Sequence, residues 1–309
     1  MASIQMQAVR TATQQMTNNG MPQFGENIDP ARLRAAVETA QAAMPLQEGV
    51  EYRQEILSGV EAELSVPAYG REDALILYVH GGGLVCGNTR TSRGYAGMLA
   101  GESRIPVYSF SYRLAPEDPF PAPLEDCFNA YCAAMEKYPD VPIYLIGESG
   151  GALLSIATAL KIRDAGIRMP AGVIAYSPVI DWSETLDHSH CGWDEITVTE
   201  AGLRSLAKLY CPDETLRKDP YASPLFADFK NYCPLYVAWD QGETLAADAE
   251  ALIALAQEAR VPVEYARYKG CFHAFAPVGR NTPESSKLLD DTIAFILRHL
   301  HDQKLDWEE

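Results

Sequence analysis

The sequence predicts an α/β fold in which a mostly parallel sheet is covered by helices on both faces. Two observations carry this prediction. From about residue 75 onward, short near-continuous apolar runs alternate with helix-length stretches, the pattern of strands buried on both sides. One of these runs, Pro142-Ile143-Tyr144-Leu145-Ile146, leads through Gly147-Glu148-Ser149-Gly150-Gly151 into Ala152-Leu153-Leu154-Ser155-Ile156-Ala157. That order reads strand, tight turn, helix, and it is a G-x-S-x-G nucleophile elbow.

The elements follow in order. Asp29-Pro30 is an N-cap followed by a proline at the first helical position, so a helix is expected from there to about Met44. Residues 52–57 and 60–66 alternate imperfectly around Ser58-Gly59 and predict an antiparallel hairpin at a sheet edge. Further strands are expected at 75–79, 106–112, 143–146, 173–176, 235–239 and 263–268. Helices are expected at 93–103, 123–137, 149–165, 245–259 and 283–300. Residues 181–232 break the rhythm: they hold several prolines and one expected helix, 199–210. Such an excursion is expected to be an insertion over the strand ends. With residues 1–45 it would form a helical cap that sheds water from a site. The expected division is cap for 1–45 and 181–232, and core for 46–180 and 233–309.

Composition limits the partners. The net charge is −17 and the pI about 4.8, which disfavours nucleic acid and anionic membrane surfaces. The seven cysteines are odd in number and form no C-x-x-C pair, so free thiols in a reducing cytoplasm are expected. Residues 1–25 are polar and lack the basic start and apolar core of a signal peptide. No apolar run approaches the ~20 residues that span a bilayer.

The chemistry sits at expected strand ends, where ligands bind in such sheets. The elbow lifts the Ser149 hydroxyl clear of the sheet at a helix N-terminus. His80-Gly81-Gly82-Gly83 follows residues 75–79. Three glycines let backbone N–H groups approach an anion, and the N–H of Gly150 would complete an oxyanion hole. His80 is expected to be structural, holding this loop together with Gly81. His273, just after the last strand, is the expected general base. His188, His190, His299 and His301 compete poorly, and an i, i+2 pair at 188 and 190 has no supporting ligands for a metal. The orienting acid should lie after residues 235–239, where Asp240 and Glu243 both stand. Periodicity leaves the two open. Asp248 reads as a solvated first-turn carboxylate. The order serine, acid, histidine is that of an α/β-hydrolase.

The residues His80 to Gly83, Tyr112-Arg113-Leu114-Ala115-Pro116-Glu117 with Phe120-Pro121-Ala122, Gly147 to Gly151, Asp219 to Leu225 and Gly270 to Phe275 together resemble the hormone-sensitive-lipase-like branch of the α/β-hydrolases, which includes bacterial carboxylesterases. The resemblance implies an eight-stranded, mostly parallel sheet, a helical cap, no cofactor and ester hydrolysis. It implies Gly82, Gly83 and Gly150 as oxyanion donors. It also implies Glu243 as the acid, because the family's acid is followed by Leu at +2 and a second acid at +5, as Leu245 and Asp248 are here. The sequence departs from the family in having Glu148 before the serine and Gly150 after it. The expected function is a serine carboxylesterase acting on short-acyl esters of small molecules. An amide-directed hydrolase such as an arylformamidase would use the same machinery. A non-catalytic receptor on this fold, like the plant gibberellin receptors, is disfavoured by the presence of His273. Family members are often dimers through the last strand and helix, so a homodimer is an open reading.

Overall fold

A computed structural model describes residues 2–42 and 45–305. Eight strands are present: β1 (Val50–Leu57), β2 (Val60–Pro67), β3 (Leu75–Val79), β4 (Val107–Phe110), β5 (Ile143–Glu148), β6 (Gly172–Tyr176), β7 (Leu235–Asp240) and β8 (Val263–Tyr268). They form one sheet in the order β1-β2-β4-β3-β5-β6-β7-β8. β2 runs antiparallel to both β1 and β4, and every other pairing is parallel. The expected hairpin closes through Ser58 and Gly59, both at positive φ (50° and 86°), which suits a two-residue hairpin turn.

The helices are α1 (Ile4–Asn18), α2 (Pro30–Ala42), α3 (Thr89–Ser103), α4 (Ala122–Lys137), α5 (Gly150–Asp164), α6 (Glu200–Tyr210), α7 (Ala246–Glu258) and α8 (Pro283–Leu305). The expected end of α2, Met44, lies outside the described residues. α3 begins four residues earlier than expected, because Asn88 accepts from the Arg90 and Thr91 amides and Thr91 returns the bond in a capping box. Among the described residues no helix is long and apolar enough to cross a membrane, and all seven cysteines are free.

Alternation along the strands divides the core into two layers. Leu77, Leu145, Val173 and Val237 pack on one face with Leu153 and Ile156 of α5 and Leu252 of α7. Ile76, Tyr144, Ile174 and Tyr236 pack on the other with Leu99 of α3 and Phe295 of α8. α5 has no polar stripe to speak of: 12 of its 15 residues are buried, as for a helix enclosed on all sides. Each fully buried Leu or Ile in these layers contributes about 1.5–3 kcal/mol through lost apolar exposure. The sheet is therefore a stiff platform whose carboxyl edge presents the loops after β3, β5, β6, β7 and β8.

The two segments outside this rhythm meet above that edge. Phe24 and Val198 form an isolated parallel bridge, and the Ser205 hydroxyl donates to the Glu26 carbonyl. The later part of residues 181–232 runs along the core: the Leu225 amide donates to the Ile180 carbonyl, and the Tyr232 hydroxyl to that of Ile156 in α5.

Candidate active site

β5 ends at Glu148 and α5 begins at Gly150, so Ser149 alone turns the chain. Its backbone sits at φ 55°, ψ −124°, a region an L-residue occupies only when its surroundings dictate it. The surroundings do so. The Ser149 amide donates to the Tyr176 carbonyl at 2.9 Å, and the Ser149 carbonyl accepts from Ala152 at 3.0 Å. A Cβ on Gly147 would stand 2.3 Å from the Gly151 carbonyl oxygen, and one on Gly151 would stand 2.1 Å from that of Val79. Glycine at these two positions is therefore a requirement of strand–helix crowding.

The Ser149 Oγ lies 2.8 Å from Nε2 of His273, which is carried on the loop after β8. The other ring nitrogen, Nδ1, faces Oε1 of Glu243 at 3.6 Å, slightly longer than a hydrogen bond. Both of these atoms are buried, and neither has a hydrogen-bond partner among the described residues. Glu243 is fully buried. Its Oε2 accepts from the Ser177 hydroxyl at 2.8 Å and from the Asp240 amide at 3.3 Å.

Asp240 is buried too, but its oxygens are spent on the backbone. Oδ1 accepts from Gly242 at 2.9 Å and Oδ2 from Cys271 at 2.8 Å. It thus stitches the acid loop to the histidine loop and is not paired with the imidazole.

The electrostatics follow from burial and pairing. Burial raises the Glu243 carboxyl above the usual carboxylate range, and the facing His273 opposes part of that rise. Burial alone would lower His273. The Glu243 carboxylate, supported by Glu195 and Glu148, more than offsets this and raises it above the ordinary histidine value.

The glycine loop lies against the elbow. A Cβ on Gly150 would stand 2.9 Å from the Leu84 side chain. Gly82 and Gly83 take φ of +108° and +61°. Neither of their N–H groups donates to an acceptor among the described residues, whereas the Gly82 carbonyl accepts from Val85 and Cys86 at 3.1 Å each. The amide of Gly81 donates to Oε1 of Glu148 at 2.8 Å. His80 is buried and stacks on Tyr112 with 4.3 Å between ring centroids. Its Nδ1 is 2.7 Å from the Gly81 carbonyl, and burial lowers its pKa to about 4, so it is a neutral ring clamped to the loop. The Tyr112 hydroxyl holds the His80 carbonyl at 2.8 Å.

Residues outside the sheet close over this arrangement. A Cβ on Gly83 would touch Leu206 of α6 at 2.8 Å and Phe24 at 2.9 Å, so these side chains wall one side of the loop. Arg10 of α1 donates to the Cys271 carbonyl, two residues before His273, and reaches Oδ1 of Asp194 at 2.7 Å.

Three features were not anticipated from the sequence. Ser177 binds Glu243 and also accepts from the Ala274 amide at 3.0 Å, so one hydroxyl ties the acid to the histidine loop. Its position directly after β6, at a strand end, is the signal that could have found it. α1 is the second, with Arg10 as its contact to the site. Asp248 is the third and is a correction: the expected solvated carboxylate is fully buried. Its Oδ1 accepts from the Ile180 amide at 2.8 Å and its Oδ2 lies 2.6 Å from Nε2 of His188. The hydrogen bond to Asp248 holds the His188 imidazole above the usual histidine value and gives it a structural partner. Among the described residues no group of three or more His, Cys, Asp or Glu side chains is placed to hold a metal.

A strained serine at a strand–helix turn, facing a buried histidine below a glycine loop, is the arrangement of an α/β-hydrolase. Comparison with known proteins agrees. The family model described as the alpha/beta hydrolase fold matches residues 76–277. An esterase of Acinetobacter venetianus is 30% identical over 275 residues, covering 87% of this chain and 89% of that protein. An acetyl-hydrolase of Streptomyces hygroscopicus is 32% identical over 223 residues, covering 72% and 74%. The crystal structure of an esterase from the bacterial hormone-sensitive lipase family superposes with a TM-score of 0.87 at 29% identity, covering 97% of this chain and 99% of that one. The chain belongs to the α/β-hydrolases, in their hormone-sensitive-lipase-like branch.

Proposed function

We propose that the protein is a serine carboxylesterase that cleaves short-acyl esters of small molecules through an acyl-enzyme. The observation that carries this reading is the 2.8 Å contact between Ser149 Oγ and His273 Nε2 at the elbow. His273 takes the Ser149 proton as Oγ attacks the ester carbonyl. The carbonyl electron pair moves to oxygen, where the N–H groups of Gly82, Gly83 and Gly150 receive the charge. The imidazolium, stabilised by Glu243, then protonates the leaving alcohol as the C–O bond breaks. Water repeats the steps on the acyl-enzyme, releasing the acid and restoring Ser149. Closing the 3.6 Å gap between Glu243 and His273 by less than ~1 Å would complete a hydrogen bond.

A short acyl group is supported by Phe24 and Leu206, which crowd Gly83, and by the acetyl-hydrolase among the relatives. Unpaired thiols suit a reducing compartment, so we place the enzyme in the cytoplasm. The test is a panel of p-nitrophenyl acetate, butyrate and dodecanoate with an aryl formamide, alongside labelling of Ser149 by a fluorophosphonate. Acetate or butyrate should turn over fastest. Preference for the formamide would transfer the reading to an amide-directed hydrolase, and no labelling would end both.

The pH dependence has a definite sign. His273 must be neutral to accept the proton, and its pKa lies above the ordinary histidine value. Activity should therefore rise with pH, with the acid limb of kcat/KM above the usual ~6.5 of a free histidine. A limb below that value would contradict the charge environment assigned to His273.

A further inference from the structure

We propose that Glu148 is a positioning residue of the oxyanion hole: its buried carboxylate straps the glycine loop to the elbow and so fixes Gly82 and Gly83 relative to Ser149. This rests on the oxyanion roles given above.

The oxyanion donors come from two separate segments, the loop after β3 and the start of α5. Their parent strands β3 and β5 are paired in register up to Val79 and Gly147, but past the strand ends the loop amides leave the sheet ladder, and a further tie is needed to hold them toward Ser149. Glu148 supplies it. It directly precedes Ser149, so its backbone is fixed by the same strained turn. Its Oε1 accepts the Gly81 amide at 2.8 Å, one residue before Gly82. Its Oε2 accepts the Tyr78 hydroxyl of β3 at 2.5 Å, which fixes the rotation of the carboxylate. The approach is close: a Cβ on Gly81 would stand 3.0 Å from Glu148 Cγ. Glu148 is only 8% exposed, so its bonds are poorly accessible to competing water.

The groups electrostatically coupled to this carboxyl are Tyr78 of β3, Tyr95 of α3, Tyr112 after β4, Tyr176 of β6 and His273 after β8. His80 beside it is neutral. Burial raises Glu148 to about 7, against the opposing bonds from Tyr78 and Gly81. The strap is thus strongest above neutral pH, where the ionised carboxylate is the better acceptor.

Wild type and Ser149→Ala are first compared on p-nitrophenyl acetate, which tests the esterase reading by itself. If that reading holds, Glu148→Ala should lower kcat about 10²-fold, as for loss of an oxyanion donor, with KM within about threefold. Glu148→Gln keeps an acceptor for the Gly81 amide and should restore kcat to within about threefold at pH 8.5. It also removes a negative charge that supports the His273 cation, so its acid limb should move to lower pH. The proposal is overturned if Glu148→Ala keeps kcat within about twofold, if Glu148→Gln falls as far as Glu148→Ala, or if the acid limb of Glu148→Gln does not move. Should Glu148→Ala fail to fold, Tyr78→Phe replaces it. Loss of the Tyr78 donor frees the carboxylate to rotate away from the Gly81 amide, so kcat at pH 8.5 should fall several-fold with KM unchanged, and an unchanged kcat overturns the strap.

Discussion

Ser149→Ala lowers kcat for p-nitrophenyl acetate by about 10⁵- to 10⁶-fold, the loss expected when the nucleophile of a serine hydrolase is removed. The residue caps no helix amide with its side chain, and among the described residues its one side-chain hydrogen bond is to His273. The elbow conformation is imposed by the crossing of β5 and α5, so the alanine variant should fold with the same turn. Only the attacking oxygen is lost. What remains is oxyanion stabilisation and binding, worth about 10³–10⁴ over water. The initial burst of p-nitrophenol and the fluorophosphonate adduct should vanish together. An alanine variant within tenfold of wild type would remove Ser149 from the mechanism.

Glu243→Gln, compared with Asp240→Asn, carries the second large effect. Glutamine at 243 cannot stabilise the imidazolium, and its amide can hold the ring in the wrong tautomer. A loss of about 10³–10⁴ in kcat is expected. Asp240→Asn acts differently. Both Asp240 oxygens already accept backbone N–H groups, and an amide would turn a donor toward one of them. That leaves a buried amide unpaired, at a cost of about 1–3 kcal/mol. A lower Tm with kcat reduced by about tenfold or less is expected. If Asp240→Asn lost more activity than Glu243→Gln at equal stability, the two carboxylates would have to exchange roles.

The core of the fold was legible because its strands are nearly continuous apolar runs. Leu75–Val79 and Leu235–Asp240 are buried at every position, and no helix-periodic reading competes with them. α5 was legible from the elbow that precedes it. α1 was not, because the helix sequence is rich in Gln and Thr and only Met6 is buried on it. Its place comes from polar contacts, such as Ser3 with Glu284 and Arg10 with the Cys271 carbonyl, which leave no period in the sequence.

The site divides in the same way. Ser149 and His273 were readable from motif and strand order. Spacing alone could not separate Glu243 from Asp240, because both are buried at one strand end and differ only in what their oxygens meet. Asp248 was misread because a first-turn aspartate ordinarily faces water. Here the burying partner, His188, lies 60 residues away in the chain. Ser177 is a small polar residue whose role exists only in three dimensions.

The strapping of the histidine loop has a consequence for biosynthesis. Ser149 is made 124 residues before His273, and the loop that carries His273 follows the last strand to join the sheet. It is then held by Asp240 through the Cys271 amide and by Arg10, from the first helix, through the Cys271 carbonyl. On the proposed mechanism, a nascent chain that had folded only its elbow would carry an inert hydroxyl. Hydrolytic competence would then wait until β8 docks at the sheet edge and α1 closes on the histidine loop.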